Sequence, residues 1–169
     1  LKIRELQSRS GGFTEFVPLP YVHMEAPMYL KGKSRKGPSF REAILMHAVA
    51  RLVFHELIPN IQASWVKMGM EGVAACLNAG ANDLGGTLMN ESITRAAGAS
   101  YGEEWAPQAI EESIRKMARL PRMRNTLYAD APEERRRSAM AAGKLRAIEN
   151  SSAGKKQRDK RVDNLTRVV

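Results

Sequence analysis

Segments with the period of a strand alternate with segments that have the period of a helix along most of this chain, and that alternation limits its fold more than any other feature. Residues 13–17 (Phe13-Thr14-Glu15-Phe16-Val17) alternate apolar and polar side chains and stop at Pro18 and Pro20, which cannot donate to a sheet ladder. Residues 39–55 place Phe40, Ile44, Leu45, Ala48, Val49, Leu52 and Val53 three and four apart behind Ser39, a residue suited to cap a helix. Residues 60–66 predict a second strand, residues 70–79 a helix closed by Gly80, and residues 82–84 a third strand running into Gly85-Gly86. Pro107 opens another helix at its first position, with Ile110, Ile114 and Met117 inward and the pairs Glu111–Arg115 and Glu112–Lys116 outward. Residues 125–128 are the last strand candidate, and residues 1–9 predict a leading helix ended by Gly11-Gly12.

Such an order belongs to βα units on a parallel sheet, so the expected class is α/β. Four units of roughly 30 residues amount to about half of an eight-stranded barrel. Half a barrel would leave two open sheet edges, which proteins avoid. The expectation is therefore the C-terminal half of a (β/α) barrel in residues 1–129, taken from a longer chain, with a charged helical or disordered tail in residues 130–169.

The tail carries much of the charge. The 169 residues have a net charge of +9, and eleven Lys/Arg against six Asp/Glu fall in residues 130–169. Residues 133–149 fit a helix with Ala141, Leu145 and Ile148 on one face; from Asn150 the composition is that of a disordered segment. A solvated or partner-binding tail is the usual meaning of such a stretch. The longest apolar run, near residues 43–54, is interrupted by His47 and Arg51 and falls short of the ~20 residues of a membrane span. No membrane partner is expected, and a cytoplasmic location is. The single cysteine, Cys76, excludes an internal disulfide and a multi-cysteine metal site, and reads as a small buried hydrophobe. The three histidines have no zinc spacing.

In a parallel β/α sheet the working residues lie at the carboxyl ends of strands and in the loops beyond. Three clusters occupy such positions: Thr14 and Glu15 with Tyr21, His23 and Glu25; Gln62, Ser64, Trp65 and Lys67; and Asp83, Gly85, Gly86, Thr87, Asn90, Glu91 and Ser92. Along residues 61–65 one face offers Ile61, Ala63 and Trp65 and the other Gln62 and Ser64. A buried Gln and Ser need hydrogen-bond partners, which a polar ligand can supply; an ordinary solvated strand face is the plainer reading. Gly85-Gly86 permits close backbone approach to a ligand, although no G-x-G-x-x-G or Walker pattern accompanies it. His23 and Glu25 have the chemistry of an acid–base pair, and equally that of ordinary loop residues. The long connection over residues 18–38, with Lys31, Lys33, Arg35 and Lys36 set among glycines, is of a length often kept for function.

Specific strings go further. Gly11-Gly12-Phe13-Thr14-Glu15-Phe16-Val17-Pro18-Leu19-Pro20, its continuation Val22-His23-Met24-Glu25-Ala26-Pro27, the run Ile58-Pro59-Asn60-Ile61-Gln62-Ala63-Ser64-Trp65-Val66-Lys67 and the run Gly80-Ala81-Asn82-Asp83-Leu84-Gly85-Gly86-Thr87-Leu88-Met89-Asn90-Glu91-Ser92-Ile93 resemble the radical S-adenosylmethionine (SAM) enzymes of deazaflavin biosynthesis, in particular the tyrosine-adding half of FO synthases. The resemblance runs over residues 1–128. It implies a TIM-type barrel with a 4Fe-4S cluster and SAM as cofactors. It also implies joining of the 4-hydroxybenzyl group of tyrosine to 5-amino-6-(D-ribitylamino)uracil, with a second radical SAM module, fused or separate, as partner. The C-x3-C-x2-C cluster loop of that family is absent here, so this chain alone is expected to be inactive. The resemblance implies Glu15, His23 and Glu25 as residues that bind tyrosine or move protons. Gln62, Ser64, Asp83, Gly86, Thr87, Asn90 and Glu91 would hold the uracil or SAM, and no residue is implied as a metal ligand. Two other readings remain: a menaquinone-pathway radical SAM cyclase of similar fold, and a basic binding protein derived from a barrel fragment. Only the +9 charge and the tail favour the last, so nucleic acid is not the expected partner.

Overall fold

A computed structural model of the chain describes residues 1–88, 91–100 and 104–143. Helix α1 (Lys2–Ser10) ends where Gly11 takes a left-handed conformation (φ 60°) and its N–H bonds to the Gln7 carbonyl at 2.8 Å. Gln7 is buried in that helix; its amide donates to the carbonyls of Phe13 and Leu57 at 2.9 Å each and accepts from the Phe13 N–H at 2.8 Å. One side chain thus fastens α1 to the start of the first extended segment.

The short α2 (Pro27–Leu30) lies in the connection that leads to α3 (Phe40–Val53). A capping box starts α3: Ser39 Oγ accepts from the Glu42 N–H at 3.3 Å while Glu42 returns a carboxylate to the Ser39 N–H at 2.7 Å. Strand β1 (Gln62–Ala63) then leads into α4 (Trp65–Asn78), β2 (Asp83–Leu84), α5 (Ile93–Ala96), α6 (Pro107–Lys116) and α7 (Glu133–Ala141). Mixed helix and parallel strand, in alternation, is an α/β arrangement.

The strands are shorter than their sequence pattern predicts. β1 and β2 pair in parallel with Gln62 opposite Asp83 and Ala63 opposite Leu84. A parallel bridge from Phe16 to Ile61 sets the 13–17 segment on the other side of β1. The expected strand over 60–66 stops early because α4 begins at Trp65, and Gly69 (φ 64°, ψ −177°) breaks that helix one turn later. The expected strand over 125–128 is a turn. Asn125 Oδ1 accepts the N–H groups of Leu127 (2.8 Å) and Ala129 (3.1 Å), and a local side-chain bond of this type outcompetes an extended ladder.

The core lies between the sheet and α3 and α4. Ile58, Ile61, Ala63, Val73 and Cys76 are fully buried there, and Phe16 packs on Phe54 at 4.8 Å between ring centroids. The buried stripe of α3 is Ala43, His47 and Ala50, not the wider apolar repeat: Phe40, Leu45, Val49 and Leu52 are exposed. Two alanines let α4 approach closely, and of the larger apolar side chains of α3 only Ile44 and Val53 pack, half-buried, against the core. Arg51 ties the return loops together, donating at 2.7 Å each to the Pro59 carbonyl, the Gly80 carbonyl and Asn82 Oδ1.

Helix α7 docks on α6 through Gln108, whose amide donates to the Met140 carbonyl, and through Arg136 at 4.0 Å from Glu111. Contacts therefore cross the expected boundary at residue 129. Residues 144–149 of the expected tail helix, and everything after them, lie outside the described residues. Among the described residues no helix is long and apolar enough to cross a membrane.

Candidate functional site

Parallel pairing puts alternate residues of neighbouring strands on the same face of the sheet. Ile61 and Ala63 face the helices, so Gln62 and its partner Asp83 face the other way, joined there by Glu15 from the residue before the Phe16 bridge. Gln62 Nε2 donates to Glu15 Oε2 at 3.0 Å and to Asp83 Oδ2 at 2.9 Å. The polar face of the alternating pattern is thus a linked triad and not merely a solvated surface.

Two residues that the sequence did not single out complete the cluster. Arg124 grips Asp83 with two hydrogen bonds, Nε to Oδ1 at 2.9 Å and Nη2 to Oδ2 at 2.5 Å, and Nη2 lies 3.5 Å from Glu15 Oε2. Tyr128 points its hydroxyl at both carboxylates, 2.5 Å from Glu15 Oε2 and 3.0 Å from Asp83 Oδ2. The guanidinium sits 3.9 Å over the Tyr128 ring, a cation–π contact. Tyr128 has a left-handed backbone (φ 63°), unusual for an aromatic residue, and this lies in the same Asn125 turn. The signal available in the sequence was Asn125, a turn former beside an arginine, in a segment whose alternation was otherwise weak.

Electrostatics follow from this geometry. Burial opposes ionisation of Asp83, but the hydrogen bonds from Arg124, Gln62 and Tyr128 and the Arg124 charge outweigh it and hold the carboxyl below its usual range. Burial, the bond to Glu15 and the charge of Asp83 push the Tyr128 phenol far up, so it stays a neutral donor. The bond to Asp83 raises Arg124 further against burial. The cluster can orient and accept hydrogen bonds from a polar or cationic ligand.

The remaining predicted residues have other surroundings. His23 Nδ1 accepts the Gly37 N–H at 3.1 Å, and its ring meets Tyr29 edge-on at 4.7 Å. It fastens the 18–38 connection, where a Cβ on Gly37 would sit 1.8 Å from the Tyr21 carbonyl oxygen. Glu25 is exposed, with its N–H bonded to the Ala97 carbonyl. Ser64 occupies the N-cap position of α4 without a capping side-chain bond. Gly86 and Thr87 are exposed at the end of β2, where a Cβ on Gly86 would meet nothing within 4 Å. The Gly86 carbonyl accepts from Trp65 Nε1 at 3.1 Å. Glu91 accepts from the N–H and hydroxyl of buried Thr94, and Lys67 bonds the same hydroxyl at 2.5 Å. Asn90 lies outside the described residues. An open, mostly apolar cleft of about 930 Å³ runs between the 18–38 connection and α3, away from the sheet's polar face.

An iron–sulfur cluster does not fit these residues. Cys76 is the one cysteine, it is buried against His47 at 3.5 Å, and burial pushes its thiol up to about 11. Among the described residues no three His, Cys, Asp or Glu side chains are grouped to hold a metal ion.

Comparison with known proteins places these features in a family context. The profile described as the CofH/MqnC C-terminal region matches residues 10–136, a stretch that includes Glu15, Gln62, Asp83, Arg124 and Tyr128. A Methanopyrus kandleri protein named 5-amino-6-(D-ribitylamino)uracil--L-tyrosine 4-hydroxyphenyl transferase is 55% identical over 127 residues, 75% of this chain and 34% of that protein. An FO synthase of Streptomyces avermitilis is 49% identical over 140 residues, 83% of this chain and 16% of that protein. An FO synthase of Mycobacterium tuberculosis is 47% identical over 127 residues, 75% of this chain and 15% of that protein. The match spans about a third of the length of the Methanopyrus kandleri relative and about a sixth of the two FO synthases.

Proposed function

Because the chain belongs to the CofH/MqnC C-terminal region family, we propose that it forms the C-terminal half of a radical SAM barrel that joins the 4-hydroxybenzyl group of tyrosine to 5-amino-6-(D-ribitylamino)uracil in deazaflavin biosynthesis. The observation that carries this reading is the polar sheet face. Glu15, Gln62 and Asp83, from three neighbouring parallel segments, converge in a chain about half identical to proteins named for that transfer. Convergence from separate strands is how barrels assemble sites.

In this reading SAM and a 4Fe-4S cluster supply the radical chemistry, and a second radical SAM module, fused or separate, completes the deazaflavin. The cluster is held by residues other than those described, so the part of this chain is to bind and orient polar substrate. Glu15, Gln62 and Asp83 present acceptors and an amide to substrate, while Ser64, Gly86 and Thr87 line the approach beyond the strand ends; Asn90 would bind the uracil or SAM. His23 and Glu25 act from the 18–38 connection, and Glu91 through the loop it fixes at Thr94. Residues 1–129 make the barrel half and residues 130–169 an appended tail. Chemistry of this kind calls for a reducing compartment, the cytoplasm.

A graft tests the reading. Residues 10–136 replace the matching segment of the Methanopyrus kandleri relative, and coupling of tyrosine to the uracil is followed by product mass. Coupling above the level of an empty deletion supports the assignment. A folded graft that cleaves SAM but makes no coupled product would sink it.

A further inference from the structure

We propose that Arg124 and Tyr128 are positioning residues that hold Glu15 through Oε2 and leave its Oε1 to receive the ammonium group of an amino-acid substrate. The inference rests on the tyrosine-transferring reading above and names two residues that the sequence did not.

The contacts are one-sided. Gln62 Nε2, the Tyr128 hydroxyl and Arg124 Nη2 all approach Glu15 at Oε2, at 3.0, 2.5 and 3.5 Å. Asp83 engages both of its oxygens, Oδ1 with Arg124 Nε at 2.9 Å and Oδ2 with three donors. Among the described residues, Glu15 Oε1 is the carboxylate oxygen of this cluster that accepts no hydrogen bond. Exposure follows the same division: the Asp83 side chain is 11% exposed and that of Glu15 is 36% exposed. Asp83 is therefore the inner anchor and Glu15 the outward acceptor.

Charge selects the ligand. Two carboxylates against one guanidinium leave the cluster with one net negative charge, although the whole chain carries +9. A neutral phenol adds a donor without adding charge, and burial beside two carboxylates keeps Tyr128 neutral. A cation that also donates N–H groups satisfies both the residual charge and the open lone pairs. The α-ammonium of an amino acid has that chemistry. Tyr128 shares its one proton between Glu15 and Asp83, and Arg124 stacks on its ring, so the turn carrying both residues fixes which oxygen of Glu15 faces outward.

The test uses the grafted enzyme described above, with L-tyrosine and 3-(4-hydroxyphenyl)propionate, which lacks the ammonium, as probes. Tyr128→Phe keeps the ring and removes the hydroxyl; Arg124→Lys keeps the charge and removes the fork. A charge-assisted hydrogen bond at a half-exposed site is worth roughly tenfold in affinity. The unsubstituted graft should therefore hold tyrosine about tenfold more tightly than the propionate. Tyr128→Phe should raise KM for tyrosine by about that factor, leave KM for the uracil unchanged, and abolish the preference for the amine. Arg124→Lys should give an intermediate effect on KM for tyrosine alone. Equal rises in both KM values, or unaltered preference in Tyr128→Phe, would overturn the proposal while coupling by the unsubstituted graft kept the parent reading intact. A graft without coupling removes the parent reading, and equilibrium binding of the two probes to it then decides. A tenfold preference lost in Tyr128→Phe upholds the inference, and equal binding, which includes simple hydration of Oε1, refutes it.

Discussion

Replacing Arg124 by Met keeps most of the side chain's volume and leaves Asp83 as a largely buried carboxylate without its cation. The substitution removes two charge-assisted hydrogen bonds to Asp83, at 2.9 and 2.5 Å, each worth about 1.5 kcal/mol. It also removes the stacking on Tyr128, worth about 0.5 kcal/mol where one partner reaches solvent. Met recovers some packing, and Arg124 is 24% exposed, so the expected loss is about 3 kcal/mol at pH 7, at the lower end for a broken buried pair. The pH dependence gives the result its signature. In the native protein the Asp83 carboxyl is held low, so its contribution is present above its unfolded pKa and fades as pH falls through the folded value. Without Arg124, burial becomes the larger influence and raises that pKa, so acidification relieves the variant while it weakens the parent. The two stabilities should converge between pH 7 and about pH 4, near the ordinary carboxylate range. Urea unfolding at both pH values, with an unchanged dependence on urea concentration, measures the difference. Adding Asp83→Asn to Arg124→Met should restore about half the loss at pH 7. A loss under about 0.5 kcal/mol, a pH-independent one, or no recovery in the double variant would refute the claim that Arg124 exists to neutralise Asp83.

Other outcomes follow from the same contacts. Ser39→Ala, which removes half of the capping box, should cost about 1 kcal/mol in urea unfolding, whereas Ser39→Asp should cost much less. Gly37→Ala forces a Cβ into the Tyr21 carbonyl, so it should lower Tm by several degrees and raise proteolysis within residues 18–38. Cys76, buried and with its thiol pushed up to about 11, should react with a thiol reagent at pH 8 only on unfolding; modification of the folded protein within minutes would contradict its burial. Arg51→Ala should cost about 1 kcal/mol, since the half-buried Gly80 carbonyl and the exposed Pro59 carbonyl and Asn82 Oδ1 lose their donor together.

Helix ends were the most legible part of the sequence, because Ser39, Pro107 and Gly11 act within one turn of their own position. Strand kernels were legible as well, but not their lengths, which depend on where the next helix takes over, as Trp65 does after Ala63. The alternation of Ile61, Gln62 and Ala63 showed which face of the strand is polar, but the sequence set Glu15, Gln62 and Asp83 in three separate clusters, and only the pairing of the strands brings them together. Arg124 and Tyr128 were not legible. They reach the cluster on a turn, and Tyr128 lies 113 residues from Glu15, so no local period records the contact. The α3 repeat misled in a different way: its apolar positions outnumber those that α4 can cover, and composition cannot tell a covered side chain from an exposed one. His23 shows the ambiguity of a loop histidine, since a ring that accepts from a backbone N–H looks the same in sequence as one that moves protons.

The three acceptors of Arg51 also carry a meaning in time. The Pro59 carbonyl is eight residues away, but the Gly80 carbonyl and Asn82 Oδ1 are 29 and 31 residues away, beyond the whole of β1 and α4. Helix α3 can form alone, yet the guanidinium finds all its partners only after the next βα unit has folded back. Such a contact is absent while the chain is assembling and present once assembly is complete. Its free energy therefore falls on the barrier to leaving the native state and hardly at all on the barrier to reaching it. A single side chain thereby acts as a latch that closes last, slowing the escape of a structure whose strands are only two residues long.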